Sequence, residues 1–337
     1  MAPISAIGKY LDQPLLTAKI SKHVPTLLGI GGAGILAHEV NHAPENKKFK
    51  TGVKTAIILA STGVSAVYAP KIAAKITKRE LAKPISEIQK NNTKIIDEYL
   101  AKTNVEDSIH TILEKAKTKI LSLKEVAKLN TKEHNAFVNK LIPLPENIQA
   151  KDIFKEIGWL SVYGAVPVAG GIAGGIVADG LTEKNWKQRI PNKINEGLYQ
   201  YLANIFLCNI GAGAALAILE KKNITSKSAR CTGMVGGILL TGVIGGSAIA
   251  NFIGKKIVNP IMGKNKSQET RRPELLDIGL HVDDIATVSL LSGLKWIEPA
   301  LPLLYSISGY RAGIGYRNHK NHHSHHEKEA HFLREEC

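Results

Sequence analysis

Uncharged stretches rich in glycine and alanine alternate along this chain with segments dense in lysine. The three clearest stretches carry no charged side chain, at Gly158–Ala178, Gly197–Leu219 and Cys231–Gly254. A helix of about 20 such residues crosses the hydrocarbon core of a bilayer, which is about 30 Å thick. The apolar residues come as blocks and not at the helical or strand periods of a soluble domain. The pattern predicts an all-α, polytopic membrane protein; the alternative is a soluble protein with fully buried Gly/Ala-rich helices.

About six spans are expected, counted as membrane-length helices. Two short apolar runs, Val24–Ala37 and Thr55–Pro70, would form a membrane hairpin. The third span is Ile157–Ala178, and the fourth and fifth are the two later stretches named above. The sixth is interrupted, and its two parts are Ile285–Leu294 and Pro299–Tyr310. It is expected to be a discontinuous, re-entrant or interfacial helix.

The interruption in the sixth span holds two charged residues, Lys295 and Glu298. Charged side chains inside a membrane are costly and mark functional sites. Lys295 and Glu298 are therefore candidates for an intramembrane pair. The alternative is that the segment lies at the interface, where water solvates both side chains.

Residues 71–155 differ from the spans because lysine and glutamate surround apolar residues at helical spacing. This region is predicted to be a soluble antiparallel helical hairpin that contacts a protein partner, with a break at Thr103-Asn104. The predicted organisation is an amphipathic lead-in (1–23), a membrane hairpin (24–70), the helical insert (71–155), a membrane region (156–316) and a His-rich disordered tail (317–337).

Glycine pairs recur in the third and fifth spans. Their spacing allows another helix to approach the backbone closely, and they are the candidate helix-packing residues, within the chain or in a homo-oligomer. They are Gly170, Gly171, Gly174, Gly175, Gly236, Gly237, Gly245 and Gly246.

The two hairpins share short sequence similarities. Ile30–Ala37 resembles Ile210–Ala217, and Thr62-Gly63-Val64 recurs as Thr241-Gly242-Val243 at nearly the same offset. A duplication of three spans would give the inverted 3+3 arrangement of many transporters, with a site between the repeats. Composition alone also aligns such segments easily.

The formal net charge of +15 points to anionic lipid headgroups at the basic loops and not to nucleic acid. The few aromatic residues lie in or beside the apolar runs, so no stacking surface for bases is predicted. Both termini are expected to be cytoplasmic, from the basic insert and an even number of spans. No cleaved signal peptide is expected, and Cys208, Cys231 and Cys337 have neither metal nor redox spacing.

One motif resembles a catalytic site. His38, Glu39 and His42 fit the H-E-x-x-H pattern of zincin-type metalloproteases, in which two histidines on one helix face bind zinc and the glutamate activates water. Against this, Ala43-Pro44 ends the helix at once, and no third ligand follows at a short spacing. A third ligand would have to come from elsewhere, with His110, His134 and His281 as the histidines available.

The tail is rich in histidine and would bind zinc or nickel loosely. Its histidines are His319, His322, His323, His325, His326 and His331. The sequence therefore favours a non-enzymatic membrane protein without a cofactor, being transporter-like, channel-like or a scaffold. The alternative is a membrane-embedded zinc metallopeptidase that uses His38, Glu39 and His42.

Overall fold

The computed structural model describes residues 4–143, 149–263, 271–281 and 298–315, and over these ranges it contains helices and no strands. In chain order the helices are α1 (Ile4–Leu11), α2 (Pro14–His42), α3 (Lys48–Thr77), α4 (Ile85–Leu100), α5 (Asp107–Thr118), α6 (Leu123–Leu129), α7 (Asn135–Leu141), α8 (Ala150–Thr182), α9 (Trp186–Lys221), α10 (Ser228–Ile261), α11 (Leu275–Gly279) and α12 (Leu301–Ile314). Helix α9 has a π-helical segment at Leu202–Phe206, and α10 has two, at Ile238–Gly246 and Gly254–Val258.

Local sequence sets several helix ends. Helix α2 begins at Pro14, where a missing N–H costs nothing. It ends at His42 because Ala43 precedes a proline and takes an extended conformation. Ser122 caps α6 in a reciprocal capping box with Glu125. Gly315 ends α12 with a φ of +67°, a left-handed conformation that glycine adopts without strain.

Four helical stretches among the described residues are long and apolar enough to cross a membrane: Glu45–Thr77, Ala150–Thr182, Trp186–Lys221 and Ser228–Ile261. They contain the second to fifth predicted spans, so the predicted all-α class and these four spans agree with the structure, and the first and sixth spans stay predictions. The first predicted span lies in α2. The sixth lies partly outside the described residues, and α12, with 14 residues, is only about 21 Å long.

The helices of the bundle alternate in direction. Helix α8 is antiparallel to α3, since Gly170 lies against Ser65 and Gly174 lies against Ser61. Helix α9 is antiparallel to α8 in turn, with its Gly197 against Ile172. Helices α9 and α10 form a third antiparallel pair.

Helix α12 runs parallel to α8 and is therefore antiparallel to α3. Its Gly309 and Gly313 lie against Gly171 and Gly175 of α8, in the same order along both helices. The bundle therefore has two ends. We call the end where α3 finishes and α8 begins the domain end, and the end where α3 begins and α8 finishes the far end.

A small helical domain made of α1 and α4–α7 lies at the domain end. The predicted two-helix hairpin is wrong: the segment after α3 folds into four short helices, and the predicted lead-in supplies a fifth. Gln13, after α1, exchanges two hydrogen bonds with the backbone of Leu121, at 2.9 and 2.8 Å. The buried core of this domain consists of Ile96, Ile109, Ile112, Leu113, Ala116, Leu121, Val126, Leu129, Phe137, Val138, Leu141 and Ile142.

Helix α2 runs the full height of the bundle beside α3. It starts next to α1 at the domain end and finishes at the far end, where Val40 meets Gly52 near the start of α3. Its 29 residues extend about 44 Å. If α3 crosses the membrane, α2 must cross it too, because α1 and α4–α7 pack together on one side.

The two halves of the chain do not pack alike. In the first half, α3 lies against α8 along its length, whereas α12 packs on α3, α8 and α9. Among the described residues α12 does not repeat the contacts of the third span, and because the rest of the sixth predicted span lies outside them, the 3+3 arrangement stays a prediction. Helix α12, which follows Glu298 at the domain end, runs to Ile314 at the far end. This places α1 and the end of α12 at opposite ends of the bundle, and the C-terminal tail, which was expected to be cytoplasmic, lies outside the described residues.

We predict that a membrane-impermeant maleimide labels cysteines at the two ends of the bundle from opposite sides. The chain would carry Lys94→Cys at the domain end, or Glu45→Cys or Lys184→Cys at the far end. All three positions are exposed. The background would replace the native cysteines, Cys208, Cys231 and Cys337, by alanine.

The measurement is labelling of each variant in sealed vesicles of one orientation, before and after the membrane is opened. Glu45→Cys and Lys184→Cys should react from the same side, and Lys94→Cys from the other. Labelling of all three from one side would show that α2 and α3 do not cross the bilayer.

Candidate functional site: a buried ion network

Small residues bring three helices of the bundle to backbone distance. On one face of α8, Gly170 and Gly174 receive Ser65 and Ser61 of α3, and the Ser61 hydroxyl donates to the Gly170 carbonyl at 2.7 Å. On the adjacent face, Gly171 meets the backbone carbonyl of Gly309. Each glycine pair thus serves two neighbours, since successive residues point about 100° apart on a helix.

In α10 only one glycine of each pair faces a neighbouring helix. Gly237 lies against the backbone of Gly211, and Gly246 lies against Ala203, both on α9. Gly236 has nothing within 4 Å of an added Cβ, and the Cβ at Gly245 would meet only Leu240 of its own helix. Among the described residues, Gly236 and Gly245 therefore contact no other helix.

The close packing brings charged residues together inside the far end. The carboxylate of Asp179, at the end of α8, is completely buried between two lysines. Lys54 of α3 lies 2.6 Å from one carboxylate oxygen, and Lys193 of α9 lies 2.9 Å from the other. Lys193 also donates to the carbonyl of Gly313 on α12. One carboxylate therefore links α3, α8 and α9.

A second group of charges continues this cluster across α9 and α12. The Arg271 guanidinium lies 3.0 Å from both oxygens of Asp277 and 3.4 Å from Glu196 of α9. Arg311 of α12 donates to Asp277 at 3.1 Å and to Glu274 at 3.2 Å. The segment that carries Arg271, Glu274 and Asp277 is thereby attached to both helices.

The charges of this network cancel. We use "far-end network" for its eight ionised side chains, four basic and four acidic: Lys54, Lys193, Arg271, Arg311, Asp179, Glu196, Glu274 and Asp277. Each has an opposite charge within salt-bridge distance, and most are nearly inaccessible to water. Isolated buried charges would be very costly, whereas paired and hydrogen-bonded ones are tolerated.

Arg271 stays charged inside this network. Burial alone would lower the pKa of its guanidinium, but the carboxylates of Glu196 and Asp277 more than offset burial and raise the pKa above its usual value. Its guanidinium also lies 4.4 Å from the centre of the Tyr199 ring. The Tyr199 hydroxyl donates to Asp277 at 3.2 Å.

A stripe of polar side chains leads from the network along α9 into the bundle. Gln200 donates to Glu196 at 2.8 Å, and Asn204 donates to Gln200 at 2.8 Å. All three side chains are buried. The side-chain oxygen of Asn204 has no hydrogen-bond partner among the described residues. The spacing of four residues places the stripe on one helix face.

The H-E-x-x-H motif lies at the far end, in the last turn of α2. His38 and His42 are exposed, with ring centres 4.1 Å apart. Glu39 is instead partly buried and lies close to Tyr310 of α12. In the described part of the chain, no group of three His, Cys, Asp or Glu side chains is placed to hold a metal.

None of the three candidate third ligands is placed beside the motif. His134 bonds to Tyr99 in the helical domain, and His110 lies on α5 of the same domain. His281 is completely buried in the segment after α10. The structure therefore gives the metallopeptidase alternative no third ligand from the described residues.

Glu298 lies near the domain end, in a smaller cluster around Arg79. Arg79 contacts Glu156, at the start of α8, and lies 3.4 Å from Glu298. The ring of Trp159 covers Arg79 at 4.3 Å. Glu298 is partly exposed, and Lys295, its predicted partner, lies outside the described residues.

The far-end network was missed at the sequence level. Lys193 and Glu196 come just before the fourth predicted span, and Arg311 comes just after the sixth, so all three seemed to belong to loops. The i, i+4 spacing of Glu196, Gln200 and Asn204 does indicate a polar face on α9. No local pattern linked these residues to Arg271 or Asp277.

Comparison with protein-family models, with curated proteins and with solved structures found no match.

We predict that removing one partner of the buried cluster lowers stability much more than removing an exposed pair. Lys193→Met should destabilise the protein by about 3–5 kcal/mol, because Asp179 loses a buried partner. The matched control is Lys50→Met, since the Lys50–Glu183 pair has a separation of 2.9 Å but is partly exposed. It should cost about 0–1 kcal/mol. Thermal unfolding in detergent would compare the variants, and equal losses would contradict the buried network.

The effect of a glycine substitution on stability should likewise depend on the helix face that the glycine occupies. Gly171→Ala would place a methyl group in the backbone of Gly309, so we expect a loss of about 1–3 kcal/mol or more. Gly63→Ala on α3 meets nothing within 4 Å, and alanine there should raise stability by up to about 1 kcal/mol. The same unfolding assay measures both. A tolerated Gly171→Ala would show that α8 and α12 are not in backbone contact.

Proposed function

We propose that this protein is a non-enzymatic multi-pass membrane protein that acts as a scaffold. Its bundle would hold the helical domain of α1 and α4–α7 at one membrane surface. The observation that carries this proposal is the far-end network, in which each of the eight charged side chains has an opposite charge within salt-bridge distance. Such a network favours one arrangement of the helices, because breaking a pair would leave a charge buried without compensation.

The glycine contacts support the same function. Helices that meet at backbone distance along α3, α8 and α12 have little room to slide, since adjacent carbonyls and glycines interlock. A transporter has to change its helix packing during each cycle. A scaffold needs a bundle whose helix packing does not change.

The helical domain is the part that would meet partners. It is joined to the bundle through α2 and α3. Helix α1, which precedes α2 in the sequence, packs on α6 of the domain. Exposed lysines follow the last turns of α3 at the same end: Lys71, Lys75 and Lys78. We propose that these lysines contact anionic lipid headgroups. The domain would then present its outer surface to a protein partner.

A transport function is the second candidate, and the polar stripe on α9 favours it. Glu196, Gln200 and Asn204 form a chain of hydrogen bonds into the bundle, and polar side chains inside a membrane often mark proton or ion pathways. In this case Glu196 would exchange a proton or an ion, and the salt bridges around it would open during the cycle.

Ion flux distinguishes the two candidates. Purified protein would be reconstituted into vesicles, and proton, sodium and potassium fluxes would be measured against protein-free vesicles. The scaffold predicts no flux above this background. Flux that disappears in Glu196→Gln and persists in the exposed control Glu45→Gln would favour transport and overturn the scaffold.

A further inference from the structure

The helical domain distributes its charges unevenly. Residues 80–118, which hold α4 and α5, carry six lysines and seven acidic residues, so this part is nearly neutral. Residues 119–142, which hold α6 and α7, carry five lysines and two glutamates, a net charge of +3. The excess positive charge of the domain therefore belongs to the part around α6 and α7.

Most lysines of the nearly neutral part are paired within the domain. Lys115 of α5 lies 2.7 Å from Glu125, and Lys117 lies 2.7 Å from Asp97. Two further pairs lie four residues apart in sequence: Lys83–Glu87 and Lys94–Glu98. These lysines have carboxylates of the domain itself as partners.

The lysines around α6 are not paired in this way. Four of them are exposed, and their ammonium groups make no hydrogen bond or ion pair with any residue that the structure describes. We call them the lysine surface: Lys119, Lys124, Lys128 and Lys132. Glu125 of α6 is bonded to Lys115 and to the backbone of Ser122, and within residues 119–142 Glu133 is the acidic side chain left exposed. Like charges one helical turn apart repel each other slightly, so this surface suits an anionic partner.

The lysine surface lies away from the first predicted span. Gln13 is hydrogen-bonded to the backbone of Leu121, just before α6, and this fixes the start of α6 beside the start of α2. Ten helical residues, Pro14–His23, separate this point from Val24, a rise of about 15 Å. Exposed charges are screened over about 8 Å at physiological ionic strength. This separation favours a partner in water over the lipid headgroups.

The composition of the domain favours protein over nucleic acid. Residues 80–142 contain no arginine, the side chain that pairs with phosphate through two parallel hydrogen bonds. Their aromatic residues, Tyr99 and Phe137, stack on each other with ring centres 4.1 Å apart, and Phe137 is buried in the core. The lysine surface therefore offers no ring on which bases could stack.

We propose that the lysine surface binds an acidic segment of a partner protein, rich in aspartate and glutamate. Carboxylates of such a segment would pair with the exposed ammonium groups without any preformed cavity. Complementarity of this kind speeds association and weakens as salt is added. The inference rests on the scaffold function, since it names the chemistry of the partner that the helical domain would hold.

Binding of a fluorescent polyglutamate peptide to the full chain tests the proposal. The chain would be held in nanodiscs of uncharged lipid, so that no anionic headgroup competes. The test variant is Lys124→Glu/Lys128→Glu, and Lys124→Gln/Lys128→Gln is a milder version of it. The matched control is Lys90→Glu/Lys102→Glu, which changes the net charge equally at exposed positions on α4 and just after it. Thermal unfolding would confirm that each variant is folded.

The native chain should bind the peptide, and raising the salt from about 50 to about 150 mM should weaken binding several-fold. Lys124→Glu/Lys128→Glu should weaken binding by about fivefold or more, the glutamine variant by less, and the control by less than about twofold. Equal losses in the test variant and the control would show that net charge alone attracts the peptide and would overturn the proposal. Absence of binding by the native chain would overturn it as well.

Two further probes distinguish other anions. Tighter binding of a DNA duplex, or of vesicles that contain phosphatidylserine, with a loss in Lys124→Glu/Lys128→Glu, would overturn the acidic protein partner in favour of nucleic acid or lipid. The ion-flux measurement keeps the two proposals apart. Flux that depends on Glu196 would overturn the scaffold whatever the peptide does, whereas absence of peptide binding without flux would overturn this inference alone.

Discussion

Backbone contact between α8 and its neighbours is the constraint on which the rest of this structure depends. Four glycines of α8 occupy two adjacent faces, so α3 and α12 approach it from different directions. This close approach sets where Lys54, Asp179 and Arg311 lie relative to one another along the bundle axis. Larger side chains at these glycines would separate the helices and pull the charged groups apart.

Burying charged side chains at one end of the bundle is unfavourable unless each one is paired. Here the pairing runs through side chains of three long helices, α12 and the segment around Arg271. Breaking one contact leaves an uncompensated charge in a place that water hardly reaches, and this cost favours a single arrangement of helices.

The two ends of the bundle have different chemistry. The domain end carries a folded helical domain and exposed lysines beside apolar helices, which suits a membrane surface with anionic lipids. The far end carries the neutral network inside and the His38–His42 pair outside. Under the proposed scaffold function, the domain end would be the face that meets partners.

The sequence by itself determined the helical class, the positions of four apolar spans and the end of α2 at His42. These features depend on local apolar runs and on Ala43-Pro44, so they can be read directly. Only the tertiary structure decided which glycine of each pair meets another helix, because facing a neighbour depends on helix rotation. It also joined Glu196 to Arg271 and Glu39 to Tyr310, since long-range pairing leaves no local pattern. The division of residues 85–141 into four helices was missed because the cap at Ser122 is a weaker signal than the apolar stripe around it.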